Sequence, residues 1–124
     1  MKQLNYKVFP SEDKTIFVED DKIYGGAHYY TAKPFIGIEN NIPIYTEDEL
    51  IIPFCKTLEN GTIVAGLQSE QLAYILLDRC LKLNARFPST HNIKMMAGLD
   101  MFLDACEERV QERISRGVMG KLIK

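Results

Sequence analysis

Residues 90–117 read THNIKMMAGLDMFLDACEERVQERISRG, and this stretch decides the fold. Its apolar side chains recur at spacings of three and four, which places them on one face of an α-helix. They are Met96, Leu99, Leu103, Cys106, Val110 and Ile114. We expect this face to be buried.

Three arginines follow the same spacing beside that face. Arg109, Arg113 and Arg116 project their guanidinium groups along one stripe near the end of the helix. An anion would fit on such a stripe. The alternative is a solvated face, because glutamates lie close by, and Glu112 and Arg116 have the favourable i,i+4 order for an ion pair.

A second helical pattern precedes this stretch and is predicted to run from Ser69, as N-cap, to about Arg86. Its apolar row is Leu72, Leu76, Cys80, Leu83 and Phe87, widened by Ala73 and Leu77. Pro88 ends the helix, and Ser89 or Thr90 caps the next one. So short a link predicts an antiparallel helical hairpin, which Gly117 and Gly120 are expected to end.

The first half of the chain has the pattern of antiparallel strands. Between residues 4 and 67, short runs rich in Ile, Val, Tyr, Phe and Thr are separated by acidic, Asn or Gly pairs. Pro43 and Pro53 cannot donate a ladder hydrogen bond, so their strands are expected at edges or bulges. Hairpin turns are expected at three dipeptides, Asp20-Asp21, Asn40-Asn41 and Asn60-Gly61.

These patterns together predict an α+β fold, with an N-terminal antiparallel β-sheet followed by a C-terminal antiparallel helical hairpin. A chain of 124 residues with 46% hydrophobic residues is long enough for one core. We therefore expect a single domain over residues 1–124, in which residues 1–66 form the sheet and residues 67–124 form the hairpin.

Composition restricts the function classes. The formal net charge of -2 disfavours a protein that coats DNA or RNA, although it permits a small anionic ligand. The first residues contain no continuous apolar run, so neither a secretory signal nor a membrane span is expected, and the predicted location is the cytoplasm. Cys55, Cys80 and Cys106 are odd in number and widely spaced, which favours reduced core thiols.

No motif in the sequence indicates catalysis, a metal or a cofactor. The paired glycines do not have the spacing of a phosphate-binding loop, and no Ser or Cys lies in a nucleophile elbow. His28 and His91 have no further ligands at metal-binding spacing. The segment Gly25-Gly26-Ala27-His28 is expected to mark a bulge or twist in a strand. The sequence therefore favours binding over turnover.

The positions of the polar residues on the long helix add a geometric prediction. Asn92 and Arg109 lie about 25 Å apart at 1.5 Å per residue, so one helix cannot bring both to one small ligand. A second copy packed antiparallel would set the start of one helix against the end of the other. A ligand that uses both residues therefore binds at a dimer interface.

The helical half resembles a known family in several segments, the most specific of which is the closing Glu112-Arg113-Ile114-Ser115-Arg116-Gly117-Val118-Met119-Gly120. The other segments are residues 67–72, Arg86-Phe87-Pro88-Ser89, Asn92 and Leu99. This half is similar to the phage Thoeris anti-defence one proteins and their anti-CBASS relatives. The resemblance implies a non-enzymatic sponge that acts in the cytoplasm of the infected bacterial cell. Such proteins sequester glycocyclic ADP-ribose intact and form dimers that assemble into hexamers.

By the same resemblance, Phe87 is expected to stack on a base, Asn92 to make a polar contact, and Arg109 with Arg113 to bind the pyrophosphate. Arg116 completes the predicted set. Many relatives carry an Arg-Glu pair immediately before the asparagine, in a region that they use for cyclic oligonucleotides. This chain has Thr90-His91 there, which leaves a second ligand class open. Two other functions also stay open, a helical protein–protein interaction module and a nucleotide-degrading hydrolase.

Overall fold

The computed structural model describes residues 1–8, 11–21, 23, 26–119 and 121. The chain divides into two compact units, Met1–Gly66 and Leu67–Lys124. The first is built from antiparallel strands and the second from two helices, which confirms the predicted α+β class. The boundary falls where the sequence changes from a strand pattern to a helix pattern. That both units form one domain stays a prediction.

The first unit consists of short antiparallel strands. They are β1 (Lys2–Gln3), β2 (Tyr6–Val8), β3 (Ser11–Asp13), β4 (Ile16–Asp21), β5 (Gly26–Ala32), β6 (Phe35–Glu39), β7 (Ile42–Tyr45), β8 (Leu50–Pro53), β9 (Lys56–Thr57) and β10 (Ile63–Val64). The order β1-β4-β5-β8 makes the largest sheet, and three hairpins, β2–β3, β6–β7 and β9–β10, form separate two-stranded sheets. Pro53 therefore lies on an edge strand, and Pro43 lies in a two-stranded sheet, as predicted.

The two most buried residues of this unit lie where β4 pairs with β5, one on each face of the sheet, because Val18 is opposite Tyr30 and Thr31 is opposite Phe17. Val18 and Thr31 are buried, and both are β-branched residues that suit a pleated surface. The ring of Tyr30 packs edge-on against Phe54, with the ring centroids 5.7 Å apart. The unit is thus held by a small apolar centre.

A buried carboxylate supplements this small core. Asp13 is 8% exposed and accepts hydrogen bonds from the Thr15 amide at 2.8 Å, the Thr15 hydroxyl at 2.7 Å and the Tyr45 hydroxyl at 2.9 Å. Burial raises the pKa of Asp13, but these hydrogen bonds favour the charged form and lower the pKa below its ordinary value overall. The carboxylate therefore ties the end of β3 to β7.

Two of the three predicted hairpin turns are confirmed. Asn40 and Asn41 join β6 to β7 with φ values of 51° and 63°, which asparagine tolerates better than most residues. Gly61 has a φ of 84° in the turn between β9 and β10, and the Asn60 side chain accepts a hydrogen bond from the Thr62 amide at 2.9 Å. Both turns depend on local chemistry, which the sequence specifies directly.

The prediction of a turn at Asp20-Asp21 is wrong. Both residues belong to β4, where they pair with Ala27 and Gly26 of β5 after an irregularity that follows Glu19. The Asp21 carboxylate forms an ion pair with the Lys56 amino group at 2.9 Å, so a cation from a distant strand stabilises the acidic residue within the ladder. Gly26 begins β5 with a φ of 125°, and Gly25 lies outside the described residues.

The second unit is a pair of helices, α1 (Ser69–Arg86) and α2 (Thr90–Ser115), which confirms the predicted hairpin. The cap of α1 is Gln68 rather than the predicted Ser69, and its backbone amide donates to the Gln71 side chain at 2.9 Å. Gln68 and Gln71, at the two ends of the first turn of α1, thus take the capping role that was predicted for the Ser69 hydroxyl. Ser89 caps α2 as predicted, and its hydroxyl accepts from the His91 amide at 3.0 Å.

The least exposed positions of both helices follow spacings of three and four. On α1 they are residues 70, 73, 77, 80 and 84, with Leu72 beside this row, and on α2 residues 92, 96, 99, 103, 106, 110 and 113. The row predicted for α2 is confirmed except at its end, where Arg113 replaces Ile114. The row predicted for α1 is wrong at Leu76, Leu83 and Phe87, which are exposed. Spacings of four drift around the helix, whereas alternating threes and fours stay on one stripe.

Cys55, Cys80 and Cys106 are half-buried free thiols, as expected for packing residues. Neither α1 nor α2, in the part of the chain that the structure describes, contains an apolar segment of the length required to span a membrane.

Candidate functional site

Side chains from both helices hold the link between them. The Asn84 side-chain oxygen accepts a hydrogen bond from the Ser89 amide at 3.1 Å. From the other helix, the Asn92 side-chain amide donates to the Phe87 carbonyl at 2.9 Å. These bonds satisfy backbone groups that a helix end leaves without partners, so the tip of the hairpin has a defined shape.

Phe87 presents its ring at this tip. Its side chain is 64% exposed, although its backbone is fixed by a hydrogen bond from its own amide to the Leu83 carbonyl at 2.8 Å. The Arg86 guanidinium lies over the ring, 5.2 Å from the ring centroid, which is a cation–π contact. An exposed aromatic ring on a fixed support is suited to stacking with a planar ligand.

Asn92 is half-buried and lies directly beside Phe87. Its amide nitrogen is bonded to the Phe87 carbonyl, so this residue fixes the position of the aromatic residue as well as offering its own side-chain oxygen. The structure thus brings together two of the sequence-predicted site residues, Phe87 and Asn92. This contact was not predicted, because a five-residue separation across a helix break has no sequence signature.

Arg109 lies far from this tip, on the exposed surface of α2. Because α2 is continuous, Arg109 and Asn92 are separated by about 25 Å along its axis. Arg109 makes no ion pair with any residue that the structure describes. Burial and the Glu70 carboxylate raise the pKa of the neighbouring Cys106 thiol, and the Arg109 charge opposes this. Because Arg109 has no ion-pair partner among the described residues, its guanidinium is available to an external anion.

Arg113 has a structural role in this chain. Its guanidinium donates to the carbonyl of Val118 at 3.1 Å and to the carbonyl of Lys121 at 2.7 Å. Gly117 stops the helix as predicted, with a φ of 72°, and the backbone bond from the Val118 amide to the Arg113 carbonyl completes a Schellman motif. Gly120, the second predicted stop, lies outside the described residues. Arg113 thus holds the chain that follows α2.

Arg116 forms an ion pair with the Glu112 carboxylate, in the i,i+4 order that the sequence suggested. Of the three predicted arginines, Arg113 and Arg116 therefore already contact groups of their own chain. A ligand phosphate would have to compete with those groups.

Sequence reasoning did not single out a row of cations on α1. Arg79, Lys82 and Arg86 follow spacings of three and four and line an open depression of about 350 Å³, together with Asp78 and Leu83. Lys82 forms an ion pair with Asp78 at 2.8 Å. The spacing of these cations was visible in the sequence, and it could have identified this cationic row.

A second depression of about 350 Å³ has the opposite character. It is lined by the carboxylates of Glu70, Asp104 and Glu107, with Tyr74, Leu103 and Val110. Carboxylates repel an anion, so the two depressions of the hairpin differ in the ligand charge that they favour. Across the described residues, no group of three or more His, Cys, Asp and Glu side chains has the arrangement needed to hold a metal ion.

Comparison with models of known protein families and with curated proteins finds no match to this sequence.

Proposed function

We propose that the protein binds a cyclic ADP-ribose-type signalling nucleotide, such as glycocyclic ADP-ribose, and holds it intact, so that Thoeris defence is blocked. The observation that carries this proposal is the exposed ring of Phe87 on its fixed support at the hairpin tip. Stacking of a base on such a ring contributes about 1–3 kcal/mol. The resemblance of the helical half to the Thoeris anti-defence one proteins supports the same ligand.

The proposed site is shared between two copies of the chain. Phe87 and Asn92 of one copy hold the base, and Arg109 of a second copy binds the pyrophosphate, because one α2 cannot bring these groups together. Arg109 is the best phosphate ligand of the arginine stripe, since Arg113 and Arg116 are engaged within their own chain. Assembly of such dimers into a hexamer stays a prediction.

Capture followed by release tests this function. The protein is incubated with glycocyclic ADP-ribose, separated from free nucleotide by filtration, and heated, and the released material is analysed by mass spectrometry. A sponge depletes the solution and returns the nucleotide unchanged. Recovery of cleaved products would instead indicate a hydrolase, and an undepleted solution would refute binding.

An exchange of aromatic for aliphatic side chains tests the stacking surface. Phe87→Leu keeps an apolar side chain but removes the ring, so we expect affinity to fall about five- to a hundredfold. Tyr74→Leu is the matched control, because Tyr74 is also an exposed aromatic residue of α1, with 59% of its surface accessible, yet it lies in the acidic depression. Equal affinities of the Phe87→Leu variant and the wild type would exclude the proposed stacking.

A mixed dimer tests whether the site is shared. A dimer of one Phe87→Leu chain and one Arg109→Ala chain contains one doubly altered site and one intact site if each site takes Phe87 from one chain and Arg109 from the other. About half of the binding capacity should then return at wild-type affinity. A folded mixed dimer with two weakened sites would show that both residues act on the same ligand from the same chain.

The second candidate function is a helical interaction module, which exposed apolar side chains on the hairpin favour. Ile75, Ile93 and Met101 are all more than half exposed, and apolar side chains of this kind are common where helices dock on partners. The same capture assay separates the two functions, because a docking module leaves the nucleotide in solution.

A further inference from the structure

We infer that Arg79, Lys82 and Arg86 of α1 form a phosphate-binding surface that contacts the phosphates of the ligand together with Arg109 of the second copy, while the base stacks on Phe87. This inference rests on the proposed function and deepens it, since it assigns phosphate contacts to the same copy of the chain that supplies the aromatic ring. The juxtaposition that carries it is the cationic depression beside the tip, which Arg86 connects to Phe87.

The charges of the depression favour an anion. Three cations line it with a single carboxylate, that of Asp78, which Lys82 already engages at 2.8 Å. Arg79 and Arg86 form no ion pair with any residue of the described ranges, so two planar guanidinium groups are available. A guanidinium group offers paired donors that match two oxygens of one phosphate.

Arg86 is placed to act on both parts of a nucleotide. Its guanidinium carbon lies over the Phe87 ring, 5.2 Å from the ring centroid, and the group carries five N–H donors that can bind oxygen acceptors. Because the Phe87 side chain remains 64% exposed, a base can stack on the part of the ring that Arg86 does not cover. Base and phosphate contacts then adjoin each other at the tip.

The acidic depression that Tyr74 lines provides an internal comparison. It has a similar volume and also contains an aromatic residue, Tyr74, but its three carboxylates repel phosphate. Of the two depressions, only the cationic one combines an aromatic neighbour with a charge that attracts a nucleotide.

Neutral variants of the two arginines test the surface. Arg79→Gln and Arg86→Gln keep a long polar side chain with good helix propensity, so the fold should be retained, as circular dichroism would verify. Lys14→Gln removes one positive charge from an exposed residue of the other unit and is the matched control for net charge. Binding of glycocyclic ADP-ribose and of inorganic pyrophosphate is measured by isothermal titration calorimetry on the full chain.

We expect each arginine variant to bind both probes about tenfold more weakly, whereas Lys14→Gln binds like the wild type. Phe87→Leu should weaken binding of the nucleotide and leave binding of pyrophosphate unchanged. Nucleotide binding that is unchanged in both Arg79→Gln and Arg86→Gln but lost in Arg109→Ala would overturn the α1 surface and leave the proposed function standing. If the wild type binds pyrophosphate but not the nucleotide, and Arg79→Gln and Arg86→Gln weaken the binding of pyrophosphate, the proposed function fails while the anion surface remains.

Discussion

Replacement of Arg113 by alanine should destabilise the C-terminal end of the helical hairpin, whether or not a ligand is bound. The wild-type guanidinium makes two charge-assisted hydrogen bonds to carbonyls, at 3.1 Å to Val118 and at 2.7 Å to Lys121. Such bonds contribute up to about 1.5–3 kcal/mol each when buried. Val118 is only half-buried and Lys121 is exposed, so we expect a total loss of about 1–2 kcal/mol.

Urea denaturation followed by circular dichroism at 222 nm measures this loss, since α1 and α2 supply the helical signal. With a denaturant slope of about 1.5 kcal/mol per M, the midpoint of the Arg113→Ala variant should fall by roughly 1 M. Protein concentration is held constant, because an oligomer gains stability by mass action.

Arg109→Ala is the matched control, because Arg109 lies on the same helix and makes no ion pair with the described residues. Its free energy of unfolding should stay within about 0.5 kcal/mol of that of the wild type. Equal midpoints for the two variants would refute the structural role of Arg113. If the difference is found, any loss of nucleotide capture in Arg113→Ala must be compared at equal folded fractions, whereas loss in Arg109→Ala reports a ligand contact directly.

Two further predictions concern stability. Gly66→Ala should destabilise the strand unit by about 1–3 kcal/mol, because the added methyl group would lie 2.5 Å from the backbone nitrogen of Cys55. In contrast, the methyl group added by Gly98→Ala in α2 would meet nothing within 4 Å, and this variant should be more stable than the wild type by about 0.5–1 kcal/mol. Tyrosine fluorescence and circular dichroism in urea would follow the two units, and shifts of the same sign would contradict this contrast. The Asp13→Asn variant should be less stable than the wild type above pH 4, and this difference should shrink as pH falls through the lowered pKa of Asp13, because protonation removes the charge that its hydrogen bonds stabilise. Urea midpoints measured from pH 7 to pH 2.5 test this, and a difference independent of pH would contradict it.

Features with local causes could be predicted from the sequence. Asn40-Asn41, Asn60-Gly61 and Gly117 occupy turns or a helix end with positive φ, where their own side chains or the lack of one determine the backbone. The link at Pro88 is equally local, since proline restricts the residue before it.

Features that depend on distant residues could not be predicted in this way. Asp21 remains in a strand because Lys56 neutralises it, and Leu76 is exposed because α2 contacts a different stripe of α1. In both places the local propensity was overridden by a tertiary contact.

The candidate site also has features that the sequence predicts and features that depend on distant residues. The residue types at Phe87, Asn92 and Arg109 could be selected from the sequence and its resemblance to a family. The sequence could not predict the hydrogen bond from the Asn92 amide to the Phe87 carbonyl, because it forms only when the chain folds. The same holds for the bonds from Arg113 to the carbonyls of Val118 and Lys121.

The alternating spacing of the contact positions also limits which changes of length the hairpin can accept. A single inserted or deleted residue within α2 rotates every later side chain by about 100° relative to the earlier ones. Met96 and Leu99 would then contact α1 while Cys106 and Val110 turned away from it, or the reverse. A change of seven residues restores the stripe to within about 20°. Natural variants of this hairpin should therefore differ in length by about seven, eleven or eighteen residues, which return the stripe to the same side of the helix, and paired changes in α1 and α2 should keep Phe87 and Arg113 at the two ends of the hairpin.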